Sequence, residues 1–123
     1  MDEKKILLTG GAGFIGHHFV EHILKKTNHE IVIIDRLTYA SSGYDRLKDI
    51  GAYEHPRIKI FTHDFRSPIE ESFAIEVGKP DYIVHMGAET HVDRSIKDPM
   101  PFVTSNVIGT LRMLEFAKLC KPK

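Results

Sequence analysis

Glycines recur at every third position early in the chain, at Gly10, Gly13 and Gly16, within Thr9-Gly10-Gly11-Ala12-Gly13-Phe14-Ile15-Gly16. Gly11, Gly13 and Gly16 also satisfy the spacing G-x-G-x-x-G. Glycines at this spacing suit the holding of an anion. The early ones admit a tight turn and let backbone N–H groups close on a pyrophosphate, and the positive end of the following helix faces the same charge. The last one lets helix and strand pack closely. The spacing alone occurs in many glycine-rich turns. Here it follows the apolar run Ile6-Leu7-Leu8, opens an amphipathic segment, and is followed by Asp35 at the end of the next apolar run, Ile31-Val32-Ile33-Ile34. An acid about 20 residues beyond such a loop is placed to accept hydrogen bonds from the hydroxyls of a ribose. Together these features point to a dinucleotide.

Asp35 also repels a 2′-phosphate, which favours NAD over NADP. Arg36 beside it argues the other way, since a guanidinium pairs with that phosphate, or it lies against the adenine face instead. Asp64 closes the third apolar segment and is placed either to meet an adenine amino group or to cap the following turn. Met86-Gly87-Ala88-Glu89 follows the fourth apolar segment, and its small residues let backbone approach a ligand at the carboxyl edge. His91, Asp93 and Ser95 crowd the same edge, but neighbours in sequence do not make a nucleophilic triad, and no G-x-S-x-G elbow is present. His85, His91 and Asp93 have no spacing that fixes a metal's coordination. His17, His18 and His22 read as surface histidines of one helix. No GxxxxGK[ST] phosphate loop occurs. Neither a catalytic residue nor a metal ligand is therefore assigned.

The positioning elements alternate in period. Ile6-Leu7-Leu8 and Ile31–Ile34 are short continuous apolar strands, as expected for a sheet buried on both faces, and Arg57–Phe61 and Tyr82–Val84 make a third and a fourth strand. Ile15, Phe19, Val20, Ile23 and Leu24 recur at helical spacing, and Asn28-His29 ends that helix. Ser41 or Ser42 begins a helix running to about Gly51, and Ser67-Pro68-Ile69-Glu70 is a start signal for one that stops at Gly78. Val103, Val107, Leu111 and Leu114 mark one face of a last long helix ending near Lys121-Pro122. The alternation predicts an α/β fold, a Rossmann-like doubly wound parallel sheet of order 3-2-1-4 that stops after the fourth strand and its helix.

The 123 residues suit one domain, with 41% apolar and 28% charged residues. Seventeen basic residues balance seventeen acidic ones, so no net field draws the chain to nucleic acid or to a membrane surface. No apolar run reaches the roughly 20 residues that cross a bilayer. The N-terminal apolar stretch is too short for a signal peptide, and a lone Cys120 fits a reducing cytoplasm.

The glycine segment, Asp35-Arg36-Leu37-Thr38-Tyr39-Ala40, Glu89-Thr90-His91-Val92-Asp93-Arg94-Ser95-Ile96 and Asn106-Val107-Ile108-Gly109-Thr110 together resemble the extended short-chain dehydrogenases/reductases. Within them the likeness is greatest to nucleoside-diphosphate-glucose 4,6-dehydratases of the dTDP-glucose type. The resemblance implies that Phe14 and Ile15 contact the pyrophosphate, that Asp35, Arg36, Leu37 and Thr38 hold the adenosine ribose, and that Asp64 and Phe65 meet the adenine. It puts Met86, Gly87, Ala88, Glu89 and Thr90 along the nicotinamide, with Glu89 and Thr90 also reaching the sugar, and a hydroxyl at Ser105 near the cofactor. Gly87 stands where Ala is usual, Ser41 where Gly is, and Ser105 where Thr is; each swap keeps the functional group.

The implied reaction oxidises a nucleoside-diphosphate glucose at C4 with NAD⁺, eliminates water across C5 and C6, and returns the hydride to C6. Relatives are longer, and their Tyr-x-x-x-Lys and Thr-Asp-Glu segments have no counterpart here. Tyr44 and Lys48 fit the first spacing formally, in the helix after the second strand. The chain is thus expected to be a cofactor half-domain over 1–123, the N-terminal part of a longer enzyme without its substrate domain, inactive by itself. The family implies a homodimer, and an uncovered edge beside the fourth strand predicts self-association. The same half of an epimerase or decarboxylase, or a non-catalytic dinucleotide-binding module, are the competing readings.

Overall fold

A computed structural model describes residues 3–35, 44–63, 71–87 and 96–123. Among these, strands β1 (Lys5–Thr9), β2 (Glu30–Asp35), β3 (Ile58–Thr62) and β4 (Tyr82–His85) form one parallel sheet of order β3-β2-β1-β4. Helices α1 (Phe14–Lys26), α2 (Asp45–Asp49) and α3 (Glu71–Val77) lie between successive strands. The last helical run comprises α4 (Met100–Val103), a π-helical turn over Thr104–Ile108, and α5 (Gly109–Cys120). The doubly wound order is the expected one.

Successive side chains of a strand point to opposite faces, so continuous apolar strands need two covers. Leu8, Ile31 and Ile33 pack with Val20 and Leu47 on the face covered by α1 and α2. Leu7, Val32 and Ile34 pack with Val77, Met113 and Phe116 on the face covered by α3 and α5. Each such fully buried Leu or Ile contributes about 1.5–3 kcal/mol. Cys120 closes the second cluster, and burial pushes its thiol above the ordinary value.

Several boundaries differ by a residue or two from the sequence expectation. Helix α1 ends at Lys26 because Thr27 turns out of it, its hydroxyl donating to the Ile23 carbonyl at 2.8 Å. The Arg57 guanidinium donates to the Leu24 oxygen in the last turn of α1 at 2.9 Å and to the Thr27 and His29 oxygens just beyond it at 2.7 and 3.1 Å. That satisfies acceptors a helix C-terminus leaves over and sets a cation at its negative end. Strand β3 starts at Ile58, one residue late, although the Arg57 carbonyl already accepts the Ile31 N–H of β2 at 2.9 Å. The start signals at Ser41–Ser42 and Ser67–Glu70 lie outside the described residues, while α3 ends at Val77 before Gly78 (φ 80°), as expected.

The stripe Val103, Val107, Leu111 and Leu114 is the larger difference: all four are exposed. The side of this helical run that meets the sheet is carried by Ser105, Gly109, Met113, Phe116 and Cys120. Ile15 likewise stands out from the core at 70% exposure.

Candidate functional site

Gly10 turns the chain out of β1 with φ 78°, and a side chain there would lie 2.8 Å from the Gly87 nitrogen and the Met86 carbonyl carbon. Its N–H donates to the Ile34 oxygen at 3.0 Å, and Gly13 N–H donates to the Gly10 oxygen at 3.1 Å. A Cβ on Gly16 would come within 2.0 Å of that same Gly10 oxygen. The first turn of α1 is therefore drawn against the backbone of the loop. It carries no side-chain cap and no acidic residue, which leaves its positive end for an anion. Phe14 and Ile15 stand at this end, 65% and 70% exposed, where the resemblance implies contact with a pyrophosphate.

Asp35 ends β2 beside the loop and is only 6% exposed. Its Oδ2 accepts the Ala12 N–H at 3.0 Å. A carboxylate this buried is held where it also ties the glycine loop to the tip of β2, a role that sequence spacing alone does not suggest. The strand register puts Asp35 level with Thr62 of β3 and one step beyond Thr9 of β1.

On the other side of β1, Thr9 and His85 are paired across β1 and β4. The Thr9 hydroxyl lies 2.6 Å from His85 Nδ1 and accepts the Gly87 N–H at 3.0 Å. Met86 N–H donates to the Thr9 carbonyl at 3.1 Å. His85 Nε2 is 3.2 Å from the Thr110 hydroxyl, which itself donates to the Asn106 carbonyl at 2.7 Å. Ser105, in the π-helical turn, is 1% exposed, and its Oγ is a buried polar atom without a partner among the described residues. π-helical turns concentrate at functional sites, and a buried hydroxyl without a partner is costly.

Gly10, Gly13, Phe14, Ile15, Gly16 and Asp35 are thus brought together at one side of the sheet's carboxyl edge, with Met86 and Gly87 approaching Gly10 from β4. Arg36, Leu37, Thr38, Asp64, Phe65, Ala88, Glu89 and Thr90 lie outside the described residues, as do His91, Asp93 and Ser95. The Tyr44–Lys48 spacing makes no reactive pair. Tyr44 hydrogen-bonds Thr62 and Lys48 sits over the Tyr53 ring, beside β3 and across the sheet from β4. Among the described residues no group of three or more His, Cys, Asp or Glu is placed to hold a metal, and no helix is long and apolar enough to cross a membrane. From sequence, Thr9 and Thr110 figured only within longer segments and His85 was weighed only as a metal ligand, so this trio was not singled out. The available signal was that Thr9 and His85 each end a strand.

A glycine cradle that a Cβ would fill, an uncapped helix end and an orphaned hydroxyl at Ser105 fit a dinucleotide. Fold and site define a dinucleotide-binding Rossmann unit of the short-chain dehydrogenase/reductase type. The chain belongs to the GDP-mannose 4,6 dehydratase family, whose model matches residues 7–123. It is 44% identical over 114 residues to a dTDP-glucose 4,6-dehydratase of Salmonella typhimurium, covering 93% of this chain and 31% of the relative. The structure resembles a dTDP-glucose 4,6-dehydratase double mutant from Streptomyces venezuelae with NAD bound, at 38% identity and a TM-score of 0.82 over 95% of this chain and 36% of that one. A UDP-Glc/GlcNAc 4-epimerase from Campylobacter jejuni matches at 31% identity and a TM-score of 0.80, over 96% and 34%. The chain spans about a third of the length of the relatives it matches.

Proposed function

We propose that this chain is the NAD-holding half of a nucleotide-sugar 4,6-dehydratase acting on dTDP-glucose. The observation that carries the reading is the closed cradle in which Gly16 meets the Gly10 carbonyl and Asp35 receives the Ala12 N–H. The glycine loop and the first turn of α1 would take the pyrophosphate, Asp35 the adenosine ribose, and Met86, Gly87 and Ser105 the nicotinamide side. Bound NAD supplies a hydride acceptor for C4 of the sugar and a donor to C6. Relatives named dTDP-glucose 4,6-dehydratase support the substrate. A 4-epimerase is the second reading, favoured by the likeness to the Campylobacter jejuni enzyme. Calorimetric titration is expected to show NAD⁺ binding more tightly than NADP⁺, and tighter NADP⁺ overturns the role given to Asp35.

We also propose that the unit works as a homodimer, joined through the exposed stripe Val103, Val107, Leu111 and Leu114 of the last helical run. Apolar side chains on one helix face gain by pairing with a second copy. Leu111→Glu is expected to shift sedimentation from dimer toward monomer at micromolar concentration while leaving the circular dichroism unchanged. A variant that sediments like the parent removes this surface from the interface.

A further inference from the structure

One set of directions satisfies the hydrogen bonds that Thr9, Thr110 and Gly87 make around His85. Thr110 gives its hydroxyl hydrogen to the Asn106 carbonyl, so at the Thr110 oxygen His85 Nε2 must be the donor. Thr9 is fully buried and its oxygen receives the Gly87 N–H, so its own hydrogen needs an acceptor, and His85 Nδ1 stands 2.6 Å away. The ring is then neutral and protonated on Nε2. We propose that His85 is a positioning residue of the cofactor edge: by taking the Thr9 hydrogen on Nδ1 and giving its own to Thr110, it turns the Thr9 oxygen toward the Gly87 N–H. That fixes the backbone following β4 against Gly10, where it meets the glycine loop. The step from Gly87 to the nicotinamide rests on the NAD reading above; the step from His85 to Gly87 does not.

Protonating the ring makes Nδ1 a donor. Thr9 then faces two donors and its own buried hydrogen is left over, so the Gly87 contact weakens. Burial holds the imidazole below its ordinary value of 6.5. Among the described residues, the groove beside His85 brings up two titratable groups, Tyr82 of β4 and Lys123. β1 and α5 meet the ring with the uncharged Thr9 and Thr110. The sign follows. An unfolded chain takes up the proton near 6.5 and the folded chain only at lower pH, so stability is full above 6.5 and declines as pH falls from there to the folded value.

Long-range ¹H–¹⁵N spectra of the labelled chain are expected to show His85 protonated on Nε2 alone at pH 7. His85 should stay neutral as the pH falls through 6.5, because burial lowers its pKa. Gly87 amide exchange, corrected for intrinsic rates, is expected to rise about tenfold in His85→Phe, the size of one lost buried hydrogen bond. His85→Asn, whose side-chain oxygen can take the Thr9 hydrogen, is expected to keep Gly87 protected and to flatten the acid loss of NAD⁺ affinity expected of the parent. If His85→Phe fails to fold, the ring spectra and His85→Asn decide. A ring protonated on Nδ1, or unchanged Gly87 exchange in His85→Phe, overturns the proposal. Gly87 responding as expected in a chain that binds no NAD⁺ upholds the His85 role and overturns the NAD reading instead.

Discussion

Gly16→Ala is expected to lower the stability of the chain and abolish NAD⁺ binding together. The added carbon would sit 2.0 Å from the Gly10 oxygen, 2.9 Å from the Gly10 carbonyl carbon and 3.0 Å from the Gly11 Cα. All three are backbone atoms, so no rotamer change relieves the overlap and the first turn of α1 must back away from the loop. Alanine gains about 1 kcal/mol over glycine in helix propensity. Forced overpacking costs about 1–3 kcal/mol, more where backbone has to move, and at 2.0 Å the clash wins. A net loss of about 2 kcal/mol lowers the melting temperature by roughly 8 °C for a domain of this size, and Gly16→Val extends the loss. Gly51→Ala is the control. Gly51, unlike Gly16, has a positive φ of 72° and faces open space, so its cost is the conformational strain of about 1–2 kcal/mol, without loss of NAD⁺ binding. Gly16→Ala melting at the parent temperature, with NAD⁺ still bound, removes the close approach from the account.

Replacing Asp35 separates two roles that share one carboxylate. Asp35→Ala leaves the Ala12 N–H without its acceptor in a buried place, which costs about 1–3 kcal/mol. It also takes away the proposed ribose acceptor, and NAD⁺ affinity is expected to fall by roughly a hundredfold, as for losing charged hydrogen bonds. Asp35→Asn keeps an oxygen for Ala12 and is expected to melt near the parent temperature. Its NAD⁺ affinity still falls, while NADP⁺ gains relative to NAD⁺ because no negative charge opposes the 2′-phosphate. Urea denaturation reads the first role and paired titrations of the two dinucleotides read the second. An Asn variant with the parent's NAD⁺ to NADP⁺ ratio shows that Asp35 secures the loop and does not read the ribose.

The sheet order was legible because continuous apolar strands separated by helical segments leave few topologies. The glycine spacing was legible as well, since residue type there is dictated by backbone geometry. What Gly16 touches was not, because the Gly10 carbonyl reaches it only through tertiary packing. Val103, Val107, Leu111 and Leu114 show the limit of periodicity. A repeat announces an apolar face but does not say which neighbour covers it, and here the sheet is met by Met113 and Phe116 instead. Thr9 and His85 stand 76 positions apart, and only parallel register brings them into contact. Asp35 lies between these cases: its position was readable from the sequence, while its bond to Ala12 became visible only in the folded loop.

The order β3-β2-β1-β4 also has a meaning in time. During synthesis β2 can pair with β1 as soon as Asp35 has left the ribosome, and β3 can extend that ribbon outward. The opposite edge of β1 must wait for β4, about 50 residues later, which at ~5–20 residues per second is an interval of several seconds. Through that interval Ile6, Leu7 and Leu8 present an unpaired, apolar strand edge to whatever surrounds the nascent chain. A codon change that slows translation between β3 and β4 therefore lengthens the period in which two nascent copies can pair wrongly, without altering a single residue of the finished protein.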